Sequence, residues 1–331
     1  MNRVIQLSGF AAALVFGGAV QADEQLRPEA LGLFGRIQAP SAAATPEVQL
    51  GRALFWDERI SSDGKTSCGS CHFARDWGAD RRALSPDARG KLTSRHSPTV
   101  FNSLSQPALR WLSDRKSGAD QAEGSLTGSL GFDSKDAALE AIRKFDYAAA
   151  FRAAYPQEAE PMTTRNYGRA VAAYEATLVT PAPFDRFLGG DDGALSAPQK
   201  SGLRAFMATG CGACHSGALL GGSTNQRFGL VKDYWLETGS AKVDLGRVAA
   251  TKKDEDKYVF RVPMLRNVAK TAPYFHDGSV TSLDRAVRIM ASVQLGKTLD
   301  DSTVQSIVAF LESLTGEIPA NYAPPGKRPD L

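Results

Sequence analysis

The sequence predicts a mainly α-helical protein of two domains with few, short strands. Three observations carry this expectation. One Cys-x-x-Cys-His pattern occurs twice, as Cys68-Gly69-Ser70-Cys71-His72 and Cys211-Gly212-Ala213-Cys214-His215. An amphipathic helix start precedes each copy, and a longer helix closes each half. The 331 residues are enough for two cores of ordinary size, and 43% hydrophobic with 23% charged residues is a globular rather than a disordered composition.

The elements follow in order. Residues 1–22 read as a secretory leader: Met-Asn-Arg, an apolar run from Val4 to Val20, then Gln21-Ala22 ahead of Asp23-Glu24, with cleavage after Ala22. The run is short for a bilayer span, and no later segment is apolar enough for one. A periplasmic location without a membrane span after leader removal is therefore expected. The N-terminal domain, 23–180, opens on Gln49-Leu50-Gly51-Arg52-Ala53-Leu54-Phe55. It closes on a helix from about Tyr167 to Leu178, with Val171, Tyr174 and Leu178 apolar. Pro181-Ala182-Pro183 and Gly189-Gly190-Asp191-Asp192-Gly193 make the best linker. The C-terminal domain, 181–331, repeats the order with Lys200-Ser201-Gly202-Leu203-Arg204-Ala205-Phe206. Its closing helix carries Val304, Ile307, Val308, Leu311 and Leu314, with Ser302 as N-cap and Gly316 as stop. A net charge of +3 gives no reason to expect nucleic acid as a partner.

An exported chain with four cysteines ordinarily pairs them in disulfides. Here all four cysteines, and two of the four histidines, fall in the two motif copies. C-x-x-C-H is the c-type haem attachment pattern: two thiols add to the vinyl groups on one edge of the macrocycle, and the adjacent His reaches iron. A single copy would also suit a redox dithiol or half a zinc site; two copies that use every cysteine do not. Two covalently bound c-type haems are expected, in two cytochrome c-like haem domains. His72 and His215 are the proximal ligands.

The sixth ligands decide what such haems do. The remaining histidines are His96 and His276, and the methionines beyond the initiator are Met162, Met207, Met264 and Met290. A thioether ligand favours ferrous iron and raises the potential, whereas a displaceable distal position admits peroxide. Two unlike haems let one collect an electron while the other does oxygen chemistry.

From about Gln49 to Gly316 the sequence resembles the bacterial dihaem cytochrome c peroxidases. The stretches Phe228–Trp235, Tyr258–Pro263, Leu265–Ser279, Ala286–Met290 and Gln294–Gly296 follow the family pattern nearly residue for residue. The resemblance implies that Met290 is the distal ligand of the high-potential C-terminal haem, leaving Met207 and Met264 to packing. It implies that electrons enter there from a small soluble donor such as cytochrome c and pass to the N-terminal haem, where hydrogen peroxide becomes water. Trp111 falls where the family has a tryptophan between the haems, and Gln121 matches the distal glutamine. Backbone carbonyls of Thr271 and Pro273 match contacts to a calcium ion between the domains. A homodimer is the assembly the family suggests.

The first half departs from that pattern. The distal glutamate of the family falls on Gly131, which removes an acid–base group worth about 10²–10⁴ in rate. Glu123, Asp120 and Asp133 are the candidates to replace it. The loop histidine that blocks the peroxidatic iron in many members falls near Ala88. His96 replaces the family's calcium-binding asparagine, and imidazole is a poor ligand for a hard ion. It is left as a distal ligand, an acid–base group or a hydrogen-bonding residue, and His276 as a structural or interhaem residue. The expected activity is that of a cytochrome-c peroxidase. Two alternatives stand beside it: a dihaem electron carrier or sensor, favoured by Gly131, and an oxidase of a partner protein or organic substrate, disfavoured by Met290.

Overall fold

The computed structural model describes residues 25–37 and 44–326; the expected leader, 1–22, lies outside the described residues. Residues 25–33 form α1. The first half continues with α2 (Pro46–Trp56), α3 (Gly118–Ser125), α4 (Lys135–Arg143), α5 (Ala148–Ala154) and α6 (Thr164–Ala176). The second half has α7 (Pro183–Leu188), α8 (Ala197–Thr209), α9 (Trp235–Thr238), α10 (Val248–Thr251), α11 (Leu283–Leu295) and α12 (Asp301–Glu312). The one sheet of the described residues pairs β1 (Asn225–Arg227) with β2 (Val259–Arg261) antiparallel, Gln226 opposite Phe260. The fold is thus mostly helical, as expected.

The helices begin where short polar side chains satisfy free amides. Thr45 caps α2, with Pro46 in the first turn, and Thr163 caps α6. Ser196 and Gln199 form a reciprocal capping box at α8. The closing helix differs from expectation at both ends. Its N-cap is Asp300, whose carboxylate accepts from Thr303 N at 2.8 Å and also binds the Ser302 hydroxyl, so Ser302 lies inside the first turn. It ends at Glu312 with Ser313 as C-cap, short of Gly316.

Each half is built on one crossing of two helices, and a glycine makes each crossing possible. A Cβ on Gly51 of α2 would overlap the carbonyl oxygen of Ala170 in α6; a Cβ on Gly202 of α8 would overlap that of Ser306 in α12. The glycines occupy the same place in the two repeated helix starts. Leu50, Leu54, Phe55, Val171 and Tyr174 then fill the first core, and Leu203, Phe206, Ile307, Phe310 and Leu311 the second.

The ends of the described chain cross over. Leu26, Ala30 and Phe34 pack into the second core, while Tyr322 packs into the first and donates to the carbonyl of His72 at 2.6 Å. The segment expected as a linker is no free tether. Pro183 starts α7, Phe184 and Phe187 are buried, and Asp185 forms a buried bidentate ion pair with Arg266 at 2.6 and 2.9 Å.

A polar joint fixes the two halves to each other. Asn102 and Asn267, both in left-handed conformation, take their amides to the carbonyls of Leu178 and Leu314. Their side chains converge on the Thr180 hydroxyl at 2.8 and 2.9 Å, and Gly316 N donates to Asn267 Oδ1. Gly316 packs against Thr180 so closely that a Cβ would lie 2.5 Å from its carbonyl oxygen. That contact, not a helix stop, is what requires glycine there.

Candidate functional site

One cavity of about 700 Å³ runs through both halves. The expected haem-attachment, ligand, distal and calcium residues line it: Cys68, Cys71, His72, His96, Trp111 and Gln121 from the first half, with Cys211, Cys214, His215, Thr271, Pro273 and Met290 from the second. Residues separated by more than 200 positions therefore share one cavity.

Each motif folds as a single 3-10 turn, over Cys68–Ser70 and Cys211–Ala213. The turn brings the second cysteine and the histidine back over the first. The four thiols are free of disulfides. His72 donates from Nδ1 to the Gly78 carbonyl at 2.9 Å, and His215 from Nδ1 to the Leu220 carbonyl at 3.1 Å. A bond at Nδ1 fixes the tautomer and leaves Nε2 as the basic nitrogen, the arrangement of a metal-bound histidine. Burial lowers the pKa of both rings, so they stay neutral and available as ligands.

The seam between the halves is held by Trp111. Its indole donates to the His96 carbonyl at 2.9 Å, and its own carbonyl accepts from Arg261 N of β2 at 2.7 Å. His276 lies against it, ring centroids 6.3 Å apart, and stacks on Phe260 at 4.2 Å. Its Nε2 is buried without a hydrogen bond. His96 donates from Nδ1 to the Arg82 carbonyl at 3.1 Å, its amide binds the His276 carbonyl, and burial lowers its pKa. This geometry is that of a hydrogen-bonding residue joining the two halves.

The cavity fits haem on several counts. It is bordered by the thiols and rings just described, and Arg261 is a buried guanidinium on its wall with no carboxylate partner among the described residues, bonded to the Arg110 carbonyl and Gln106 Oε1. Desolvation pushes the Arg261 pKa down to about 10. A haem brings two propionate carboxylates that would relieve that burial. Gln121, on α3, also lines the cavity, and its Oε1 is buried without a hydrogen-bond partner among the described residues.

Other expectations fare differently. Glu123 is paired with Lys135 at 2.9 Å, Asp120 with Arg115 at 3.1 Å, and Asp133 is fully exposed; none of the three lines the cavity. The carboxylates that do line it are Asp87 and Glu175, which sequence reasoning passed over. Gly131 has φ +78°, and a Cβ there would overlap the Ser62 hydroxyl and lie 3.0 Å from the Ala88 methyl. Met207 and Met162 pack against the cores, whereas Met264, expected as a packing residue, lines the cavity. Among the described residues no group of three or more His, Cys, Asp or Glu side chains could hold a metal ion. A calcium ion would have to rest on backbone carbonyls.

Comparison with known proteins agrees with this site. The family described as di-haem cytochrome c peroxidase matches residues 45–193. The cytochrome c551 peroxidase of Pseudomonas aeruginosa is 46% identical over 277 residues, covering 82% of this chain and 79% of that protein. The cytochrome c peroxidase Ccp of Escherichia coli K12 is 40% identical over 274 residues; the match covers 82% of this chain and 58% of that protein. A solved MauG-like protein associated with microbial copper homeostasis shares the fold, with a TM-score of 0.74 at 24% identity, over 88% of this chain and 97% of that one. A chain this similar over most of its length, with two haem-binding motifs open to one cavity, belongs to the di-haem cytochrome c peroxidase family.

Proposed function

We propose that the chain reduces hydrogen peroxide to water in the periplasm with electrons from a small soluble donor such as cytochrome c. One observation carries the reading: the two motifs open into a single cavity whose second half carries Met290, while no methionine of the first half lines it among the described residues. Haem, when bound, supplies one-electron transfer and an iron position for peroxide.

The chain's own residues divide the remaining work. Cys68 and Cys71, and Cys211 and Cys214, would hold the two haems through thioethers to their vinyl groups. His72 and His215, each with Nδ1 engaged, would hold the haem irons with Nε2. The Met290 thioether would hold the iron of the second haem, and a thioether there would close that site to small ligands and raise its potential. Gln121 Oε1 accepts a hydrogen bond from peroxide, and Trp111 spans the seam between the sites. Arg261 steadies the propionates. With no acid at position 131, proton delivery is slow and turnover modest. His96 acts as a hydrogen-bonding residue of the joint, and calcium, if bound at Thr271 and Pro273, binds weakly because imidazole replaces an oxygen ligand. Export follows from the leader-like residues 1–22, and among the described residues no helix is long and apolar enough to cross a membrane. A homodimer remains the expected assembly from the family resemblance.

A second reading, an electron carrier or sensor without peroxide chemistry, is favoured by Gly131 alone. Cyanide binding to the fully oxidised holoprotein separates the two. We expect one cyanide per chain, at the N-terminal haem; no binding in any redox state would replace the peroxidase with the carrier.

A further inference from the structure

The two halves share one helix register, and that register isolates a single chemical difference between them. Gly51 meets Ala170 and Tyr174 as Gly202 meets Ser306 and Phe310. Leu178 accepts from Asn102 N as Leu314 accepts from Asn267 N. On this register Val171 corresponds to Ile307, and Glu175 to Leu311. All four line the cavity. The second site therefore meets an aliphatic side chain where the first meets a carboxyl.

The Glu175 carboxyl has neither a hydrogen bond nor an ion pair among the described residues, while its backbone carbonyl accepts from Leu178 N. Desolvation is the one influence on its acidity and pushes the carboxyl up to about 8. The groups facing it are Tyr167 and Tyr174 of α6, Cys68 of the first motif and Tyr322 of the C-terminal segment. The nearest cation on α2, Arg52, acts on Tyr174 and is tied to the carbonyls of Ala323 and Pro324. On α3, Asp120 and Glu123 are engaged by Arg115 and Lys135; at the end of α5, Tyr155 binds Glu47. His72 and His96 border the same cavity. Among the described residues no cation forms an ion pair with the Glu175 carboxyl, so nothing there fixes it as a carboxylate.

We propose that Glu175 is a redox-linked proton acceptor of the N-terminal site. The proposal rests on the reading of the first half as a haem site. When that site gains one electron from the donor, the carboxylate takes one proton from hydronium, an O–H bond forms and water is released. When the electron leaves, the O–H bond breaks and the proton returns to water. The net charge of a poorly solvated region then stays constant through the cycle, which removes the cost of adding an isolated charge there. Leu311 can do nothing of the kind, so the second site changes charge without a proton. The difference suits the chemistry: peroxide takes two protons with its two electrons, whereas transfer between haems takes none.

The test is a spectroelectrochemical titration of the holoprotein at pH values on both sides of about 8. Rising pH favours the carboxylate and hence the oxidised state, so the midpoint of the first haem should fall by about 59 mV per pH unit, a tenfold change per unit. The Met290 haem should stay level. Glu175→Gln should flatten the first slope and leave the second haem unchanged. Redox-difference infrared spectra of the wild type should show a carboxylic acid C=O band rising on reduction and shifting in D₂O, a readout that needs no variant. An unchanged slope in Glu175→Gln, or no such band in the wild type, overturns the proposal while leaving the haem reading intact. Fewer than two haem waves would overturn both.

Discussion

Met290 and Gly131 are the two residues at which the proposed division of labour is most exposed. Met290→Leu conserves volume and removes the sulfur, so packing survives while the ligand is lost. The potential of the C-terminal haem should fall and its Fe(III)–Met charge-transfer band vanish in the near-infrared spectrum. Gly131 invites the opposite experiment, restoring the family's glutamate. The backbone there is left-handed and a Cβ collides with Ser62, so Gly131→Glu should cost about 1–3 kcal/mol of stability in urea denaturation. It should not raise peroxide turnover, because the side chain enters from a strained backbone beside Ala88. The loss of the acid is thus built into the loop and is not a single exchange of side chains. At this scale the motif residues were legible in the sequence, because C-x-x-C-H chemistry is local. Glu175 was not, since nothing in a helical stretch reading Ala-Tyr-Glu-Ala says which face meets a cavity. The stand-in carboxylates failed for the same reason: Glu123 and Asp120 lie near Gln121 in sequence, yet neither lines the cavity and each is engaged by a cation, Lys135 or Arg115.

Helix crossings set the distance between motif and wall. Gly51 and Gly202 let α2 and α8 touch the backbones of α6 and α12, which brings Val171 and Glu175, or Ile307 and Leu311, to the cavity. Gly202→Ala adds one methyl against the Ser306 carbonyl and should cost about 1–3 kcal/mol through overpacking. Thermal unfolding of the holoprotein would register the loss, with the C-terminal haem band changing first because α12 lines that end of the cavity. The sequence showed both helix starts and both closing helices, since apolar periodicity reports which residues turn inward. It did not show that each pair crosses at its glycine, because a close approach leaves no mark except the missing side chain. The N-cap shift from Ser302 to Asp300 has a similar origin: both residue types cap well, and the choice is decided by where the helix must start to cross α8. Phe184 and Phe187 made the supposed linker a packed helix, which its flanking prolines and glycines concealed.

The whole molecule joins two copies of one architecture so that their sites face a common interior. Asn102, Asn267 and Thr180 form the joint, and Trp111 with His96 and His276 closes the seam beside the cavity. The repeat of the motifs was visible in the sequence; their convergence was not, because it depends on contacts such as Gly316 on Thr180 that are remote in the chain. The exchange of ends, with Phe34 in the second core and Tyr322 in the first, was equally hidden. What the duplication achieves is difference, since Met290 has no counterpart on the first half's wall and Glu175 none on the second's. The central claim, that electrons entering a closed site reduce peroxide at an open one, is tested most directly by steady-state turnover. Purified holoprotein carrying two haems is mixed with reduced cytochrome c and hydrogen peroxide, and oxidation of the donor is followed by absorbance. The account predicts oxidation of two donor molecules for each peroxide consumed, at a rate that falls in Met290→Leu. Donor oxidation no faster than without the protein, in a sample whose haems are both present, would contradict it.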